Sequence, residues 1–90
     1  MEARHLVVHG RVQGVNFRAA TRQTARRHGV VGWVRNRPDG TVEAWLEGEA
    51  DAVDQVWAWI STGGPPAAEV DRVDVDAVDP AGHERFEVRR

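Results

Sequence analysis

Residues 30–47 read Val-Val-Gly-Trp-Val-Arg-Asn-Arg-Pro-Asp-Gly-Thr-Val-Glu-Ala-Trp-Leu-Glu. Two runs of period 2, Val30–Asn36 and Thr41–Glu47, are joined here by Arg37-Pro38-Asp39-Gly40. Proline presets φ, aspartate bonds its own neighbourhood, and glycine supplies a positive φ, so the stretch predicts a β-hairpin. On both sides the period changes. Upstream, Phe17, Ala20, Thr21, Thr24, Ala25 and His28 share one helical face, with Arg18, Arg22, Arg26 and Arg27 largely off it. A helix over about 17–28 follows, with Asn16 as its N-cap and Gly29 just beyond its end. Downstream, Val53, Val56, Trp57 and Ile60 stand at i, i+3, i+4 and i+7, which predicts a helix over 50–61, stopped by Thr62-Gly63-Gly64-Pro65-Pro66. Outside the helices lie two more alternating runs, Arg4–His9 and Val70–Val78. A turn at Asp79-Pro80-Ala81-Gly82 then leads to a short strand, Phe86–Arg89. The order is β-α-β-β-α-β plus a terminal strand. This is an α+β fold of the split βαβ, ferredoxin-like plan: an antiparallel sheet with both helices on one face.

Ninety residues, 41% hydrophobic and 29% charged, suit a single domain spanning 1–90, with a radius of gyration of roughly 12 Å. The chain has no cysteine, which excludes a disulfide framework, a thiolate metal site and a cysteine nucleophile. No apolar run approaches the roughly 18 residues of a membrane span. Met-Glu-Ala-Arg-His runs straight into a strand without a signal-peptide h-region, so a soluble, cytoplasmic, free-standing protein is expected. The net charge of −2 conceals an asymmetry: residues 1–40 hold eight Arg against Glu2 and Asp39, while residues 41–90 hold four Arg against twelve acids. A basic half within an acidic chain suggests a local anion site rather than a polyanion-binding surface.

The loop ahead of the first helix is where that site is expected. A strand, a glycine-flanked turn (Gly10-Arg11-Val12-Gln13-Gly14) and a helix start present backbone N–H groups to an anion, helped by the helix dipole. Gly10 and Gly14 would let the backbone close around a phosphoryl group, and Arg18 in the first helical turn can fork two phosphate oxygens. The same residues also suit a plain βα turn with a solvated Arg. No Gly-Lys-Ser/Thr follows, so this is not a Walker loop. Asn36 closes the strand before the hairpin turn; it suits either turn hydrogen bonding or a neutral amide holding a water for attack.

Other residues carry weaker signals. His5 and His9 lie on one strand face about 13 Å apart and cannot share a metal. His9 beside the loop could act as a phosphohistidine nucleophile, against an ordinary sheet role. Asp71, Asp74, Asp76 and Asp79 lack the Gly and terminal Glu of a calcium loop and read as a solvated strand face. Trp57 fits the core stripe, while Trp33, Trp45 and Trp59 suit either core packing or a binding surface.

Three segments, Gly-Arg-Val-Gln-Gly-Val-Asn-Phe-Arg at 10–18, Gly-Trp-Val-Arg-Asn-Arg-Pro-Asp-Gly-Thr-Val at 32–42 and Gly-Gly-Pro-Pro-Ala-Ala-Glu-Val at 63–70, together resemble the acylphosphatase family in the same order over nearly the whole chain. The resemblance implies the ferredoxin-like fold. It also implies catalytic residues: Arg18 to bind the substrate phosphate and Asn36 to position the nucleophilic water. The backbone of Gln13, Gly14, Val15, Asn16, Phe17 and Arg18 would cradle the phosphoryl group. The implied substrate is a small acyl phosphate, with inorganic phosphate as product and inhibitor. No metal, cofactor, nucleic acid or membrane is implied, and a monomer is expected.

The implied chemistry is self-consistent. An acyl phosphate is a mixed anhydride whose leaving carboxylate, of pKa about 4, departs without a general acid. Phosphoryl transfer then needs charge stabilisation and an aligned water rather than covalent help. Two other functions suit the same fold. One is an RNA-binding module stacking bases on strand aromatics, although Trp45 is flanked by Glu43 and Glu47. The other is a non-catalytic regulatory or accessory domain, since acylphosphatase-like domains occur within larger carbamoyl-transfer enzymes.

Overall fold

The computed structural model describes all 90 residues, Met1–Arg90. Its elements are β1 (Glu2–Arg11), α1 (Phe17–Arg27), β2 (Val31–Asn36), β3 (Val42–Gly48), α2 (Ala50–Ser61), β4 (Glu69–Val78) and β5 (Phe86–Arg89). They form one sheet of order β4-β1-β3-β2-β5. The pairs β1·β4, β1·β3 and β2·β3 are antiparallel, as expected. The terminal strand differs: β5 runs parallel to β2, from Gly32↔Phe86 to Arg35↔Arg89, so the complete sheet is mixed. The reason is positional. β4 and β5 occupy opposite edges, and residues 79–85 carry the chain across the sheet to the far side.

The core lies between the sheet and the two helices. Leu6, Val8, Val34, Val42, Ala44 and Leu46 from the strands meet Phe17 and Ala25 of α1 and Val53, Val56 and Ile60 of α2. Each fully buried Val, Leu, Ile or Phe contributes on the order of 1.5–3 kcal/mol relative to exposure. The inner face of α1 is small: Thr21 and Thr24 are buried, and their hydroxyls donate to the carbonyls of Phe17 (2.7 Å) and Ala20 (2.8 Å), leaving no orphaned polar atom. The helix ends in a Schellman motif: Gly29 N–H donates to Arg26 O (3.2 Å) and Val30 N–H to Ala25 O (2.9 Å), with Val30 buried in the core. At its start Asn16 holds the cap position, but with a left-handed backbone (φ 66°) and no side-chain capping bond. Asn16 therefore shapes the loop rather than capping the helix as expected.

Gly10 also serves a different purpose from the one expected. The β1·β4 register shifts between His9 and Gly10. At φ +127° a Cβ on Gly10 would lie 2.1 Å from the carbonyl oxygen of Glu69. The glycine admits the neighbouring strand, not a ligand.

The sheet face away from the helices is closed at one end by Glu47, which sequence alone leaves unremarked. Its side chain is 1% exposed. One carboxylate oxygen accepts from the Trp45 indole (3.0 Å) and Ala81 N–H (2.8 Å), the other from Gly82 N–H (3.0 Å) and His83 N–H (3.2 Å). Burial by itself pushes this carboxyl's pKa up, but the four donors outweigh it and hold the pKa below the usual range. The 79–85 crossover is thus pinned beneath β3. Trp33 and Trp45 are cross-strand partners on this face; His5 packs edge-on to both, Arg89 covers Trp33, and His83 stands against Trp45. Trp57 and Trp59 instead pack on the helix-side core, Trp59 against Phe17. No helix is long and apolar enough to cross a membrane.

Candidate active site

The loop between β1 and α1 turns through two left-handed residues, Gly14 (φ +74°) and Asn16 (φ +66°). A Cβ on Gly14 would meet nothing within 4 Å, so it is the φ that calls for glycine; Asn is among the few side chains that tolerate this region. The consequence is a run of unused donors. From Gln13 to Ala19 no backbone N–H donates to an acceptor in the protein, and the first helical bond is Ala20 N–H to Asn16 O at 3.1 Å. Successive free N–H groups at such a turn, continuing into the positive end of a helix, make a concavity suited to an anion.

This loop forms one wall of a cleft of about 360 Å³, lined by Val12, Gly14, Asn16, Phe17, Arg18, Ala19, Arg22, Asn36 and Val88. Arg18 and Asn36, assigned from separate motifs, therefore meet at one cavity. Arg18 makes only a long contact, from Nη1 to Arg89 O at 3.4 Å, and has no carboxylate partner. The Asn36 side chain makes no hydrogen bond within the protein. The turn that follows is satisfied without it: Asp39 Oδ1 accepts from Thr41 N–H (3.0 Å) and Thr41 Oγ1 (2.6 Å), and Arg37 N–H donates to Thr41 O (2.9 Å). Thr41's hydrogen bonds hold the Asp39 carboxyl below its ordinary pKa.

Among the expected cradle residues, Gly14, Asn16, Phe17 and Arg18 line the cleft, whereas the side chains of Val15 and Gln13 turn elsewhere. Val15 joins the core. Gln13 reaches across to the hairpin, where its Nε2 donates to Arg37 O (2.7 Å) and Thr41 O (2.9 Å). One side chain thereby ties the N–H-rich loop to the turn directly behind Asn36 and sets their separation. Sequence reasoning counted Gln13 only for its backbone. It also passed over Arg22 and Val88, which line the same cleft. The i+4 spacing of Arg22 from Arg18 was an available signal; Val88 had none, because its place depends on which edge β5 joins.

The weaker candidates lie outside the cleft. His9 Nε2 is held by Asp74 at 2.8 Å, and His5 Nε2 by Glu43 at 2.6 Å. No three His, Asp or Glu side chains come together as a group able to hold a metal. Arg89 lies over the ring of Trp33, on the surface that base stacking there would need, and Trp45 has His5 and His83 packed against it in T-shaped geometry.

Comparison with known proteins places the chain among relatives of one family. The family model described as Acylphosphatase matches residues 4–88. An acylphosphatase from Anaeromyxobacter dehalogenans is 56% identical, over 93% of this chain and 90% of its own length. One from Natronomonas pharaonis is 51% identical, over 96% of this chain and 92% of its own. The crystal structure of acylphosphatase from Bacillus subtilis superposes with a TM-score of 0.95 at 34% identity, covering 100% of both chains. With the family model, the relatives and the fold in agreement over nearly its entire length, the chain belongs to the acylphosphatase family.

Proposed function

We propose that this protein hydrolyses acyl phosphates to a carboxylate and inorganic phosphate, with Arg18 and Asn36 as its catalytic residues. The phosphoryl group sits in the loop, its oxygens taking hydrogen bonds from the free N–H groups of Gln13–Arg18 and a forked contact from the Arg18 guanidinium. Asn36 holds a water on the side opposite the acyl oxygen. The water oxygen bonds to phosphorus as the phosphorus–acyl oxygen bond breaks. The bonding pair leaves on the carboxylate, and the water's protons remain with phosphate and solvent. Because a carboxylate of pKa about 4 leaves unaided, no proton donor is needed beside it. The residues lining the cleft include no acidic side chain. Inorganic phosphate, which presents the same oxygens, acts as product and inhibitor. Residues 1–90 act as one catalytic unit, a monomer working in the cytoplasm.

The observation that carries this reading is the meeting, in one cleft, of a run of unbonded N–H groups, an Arg without a carboxylate partner and an Asn amide free of the turn beside it. The test is turnover of benzoyl phosphate against an alkyl phosphate monoester, each with and without a strong chelator. Benzoyl phosphate should be cleaved at a rate indifferent to chelator, and the monoester should be inert, because an alkoxide leaves poorly without an acid. Efficient monoester cleavage, or strict dependence on added Mg²⁺, refutes the mechanism.

A further inference from the structure

Helix α1, Phe17–Arg27, carries Arg18, Arg22, Arg26 and Arg27 and no acidic residue. Arg26 and Arg27 stand in the last turn, where cations favour the negative end of the helix dipole. Arg18 has its place in the phosphate reading. Arg22 has no such account. It lies in mid-helix, four residues from Arg18 and four from Arg26, a spacing at which like charges repel. No carboxylate lies within ion-pair distance of it, although the chain carries fourteen acids. Arg22 is exposed, and its charge is free to meet an anion from solution.

The cavities give that anion a position. Arg22 and Val88 line the cleft that holds Arg18 and Asn36, and both also line the adjoining depression that continues along α1 to Arg26 and, across from it, Phe86. The result is a groove between α1 and β5, leading away from the phosphoryl position, with Val88 (38% exposed) as an apolar floor. Glu87 borders this depression but is engaged by Arg85 at 2.9 Å. Arg22 lies about 6 Å further along the helix axis than Arg18, a distance comparable to that from phosphorus to the fourth carbon of a four-carbon acyl phosphate.

We propose that the α1–β5 groove receives the acyl arm of the substrate and that Arg22 makes the enzyme prefer acyl phosphates whose arm ends in a second anionic group. This rests on the acyl phosphate reading of the cleft and adds a substrate class to it. The apolar floor takes the carbon chain, and the guanidinium meets the distal charge.

The test compares kcat/KM for succinyl phosphate and butyryl phosphate, which differ in the distal carboxylate. Wild-type protein should favour succinyl phosphate by about three- to fivefold at low salt, the scale of an exposed ion pair, with the preference shrinking as salt is added. Arg22→Gln should bring the ratio to about one, and Arg22→Lys should restore part of it. Arg27→Gln removes an equal charge outside the groove and should leave the ratio as in wild type. A wild-type ratio of one overturns the proposal, as does a ratio insensitive to Arg22→Gln. Equal loss of preference in Arg27→Gln overturns it too, since the effect would then be the general field of the helix. If benzoyl phosphate is hydrolysed but the ratio behaves in one of these ways, only the groove is refuted. If no acyl phosphate is hydrolysed, the reading of the cleft itself fails and the groove with it.

Discussion

Replacing Glu47 by Gln should unfasten the crossover between β4 and β5 without touching the cleft. In the native carboxylate both oxygens accept, two donors to each: the Trp45 indole and Ala81 N–H on one, Gly82 and His83 N–H on the other. A Gln amide keeps one acceptor oxygen and presents an NH₂ to the other pair of N–H donors. Two hydrogen bonds are lost outright, and the remaining two lose their charge assistance. Leaving a buried donor unsatisfied costs about 1–3 kcal/mol. The loop residues Ala81 and Gly82 are exposed on their outer side, so partial rehydration limits the total to about 2–4 kcal/mol. In a domain of this size each kcal/mol moves the midpoint by about 4–8 °C, and thermal melts at pH 7 should show a drop of roughly 8–30 °C. The pH dependence has a defined sign. The folded pKa of Glu47 lies below its ordinary value of 4.5, so its stabilisation is present in full above that value. It is lost as pH falls through the folded pKa. The gap between wild type and Glu47→Gln should therefore be constant from neutrality down to about pH 5 and close on further acidification. A variant melting within about 5 °C of wild type at pH 7, equivalent to about 1 kcal/mol, or a gap that widens in acid, would refute the reasoning. Acyl phosphate turnover by the folded variant should be unaltered, because Glu47 lies on the sheet face opposite the helices.

Arg18→Ala should raise the inhibition constant for inorganic phosphate and lower turnover together, and Arg18→Lys should recover only part of each, because lysine keeps the charge without the planar fork. Asn36→Ala should lower kcat by roughly 10²-fold or more with near-normal phosphate inhibition and, since its side chain bonds nothing in the fold, a thermal midpoint close to wild type. Asn36→Asp should weaken phosphate inhibition as well, by placing a negative charge beside an anion. Gln13→Ala should cost about 1–2 kcal/mol of stability through its two lost bonds to the hairpin and reduce kcat by loosening Asn36 against the loop. Gln13→Glu should be worse than Gln13→Ala in both melts and kcat, since a carboxylate would face the carbonyls of Arg37 and Thr41.

The parts of this fold legible from sequence are those that depend on near neighbours. Helix 50–61 and strand 86–89 have the expected limits, and the Pro-Asp-Gly turn falls between the two runs it was expected to join. The Schellman end at Gly29 was likewise available in advance. Hydrophobic period and turn stereochemistry act over a few residues, and the apolar stripe of α2 points to one buried face wherever that helix packs. The loop at 10–18 reads as a candidate anion site for the same reason: glycines, a helix start and a first-turn Arg lie close together in the chain.

The tertiary structure decided what depends on which edges and faces meet. Gly10 looked like a ligand-facing glycine until β4 was seen to press against it. Gln13 looked like a backbone contributor, yet its side chain braces the hairpin. Glu47 carries no local signal of burial, and only the fold brings the 81–83 amides over it. Val88 joined Arg18 and Asn36 only because the last strand crosses the sheet to pair parallel with β2. Each of these contacts joins segments well apart in the chain, so local pattern carries no trace of it. Residue types and the order of elements were written in the chain. The meeting of a loop, a hairpin end and the last strand around one cleft arose only when burial of the shared apolar face brought them together.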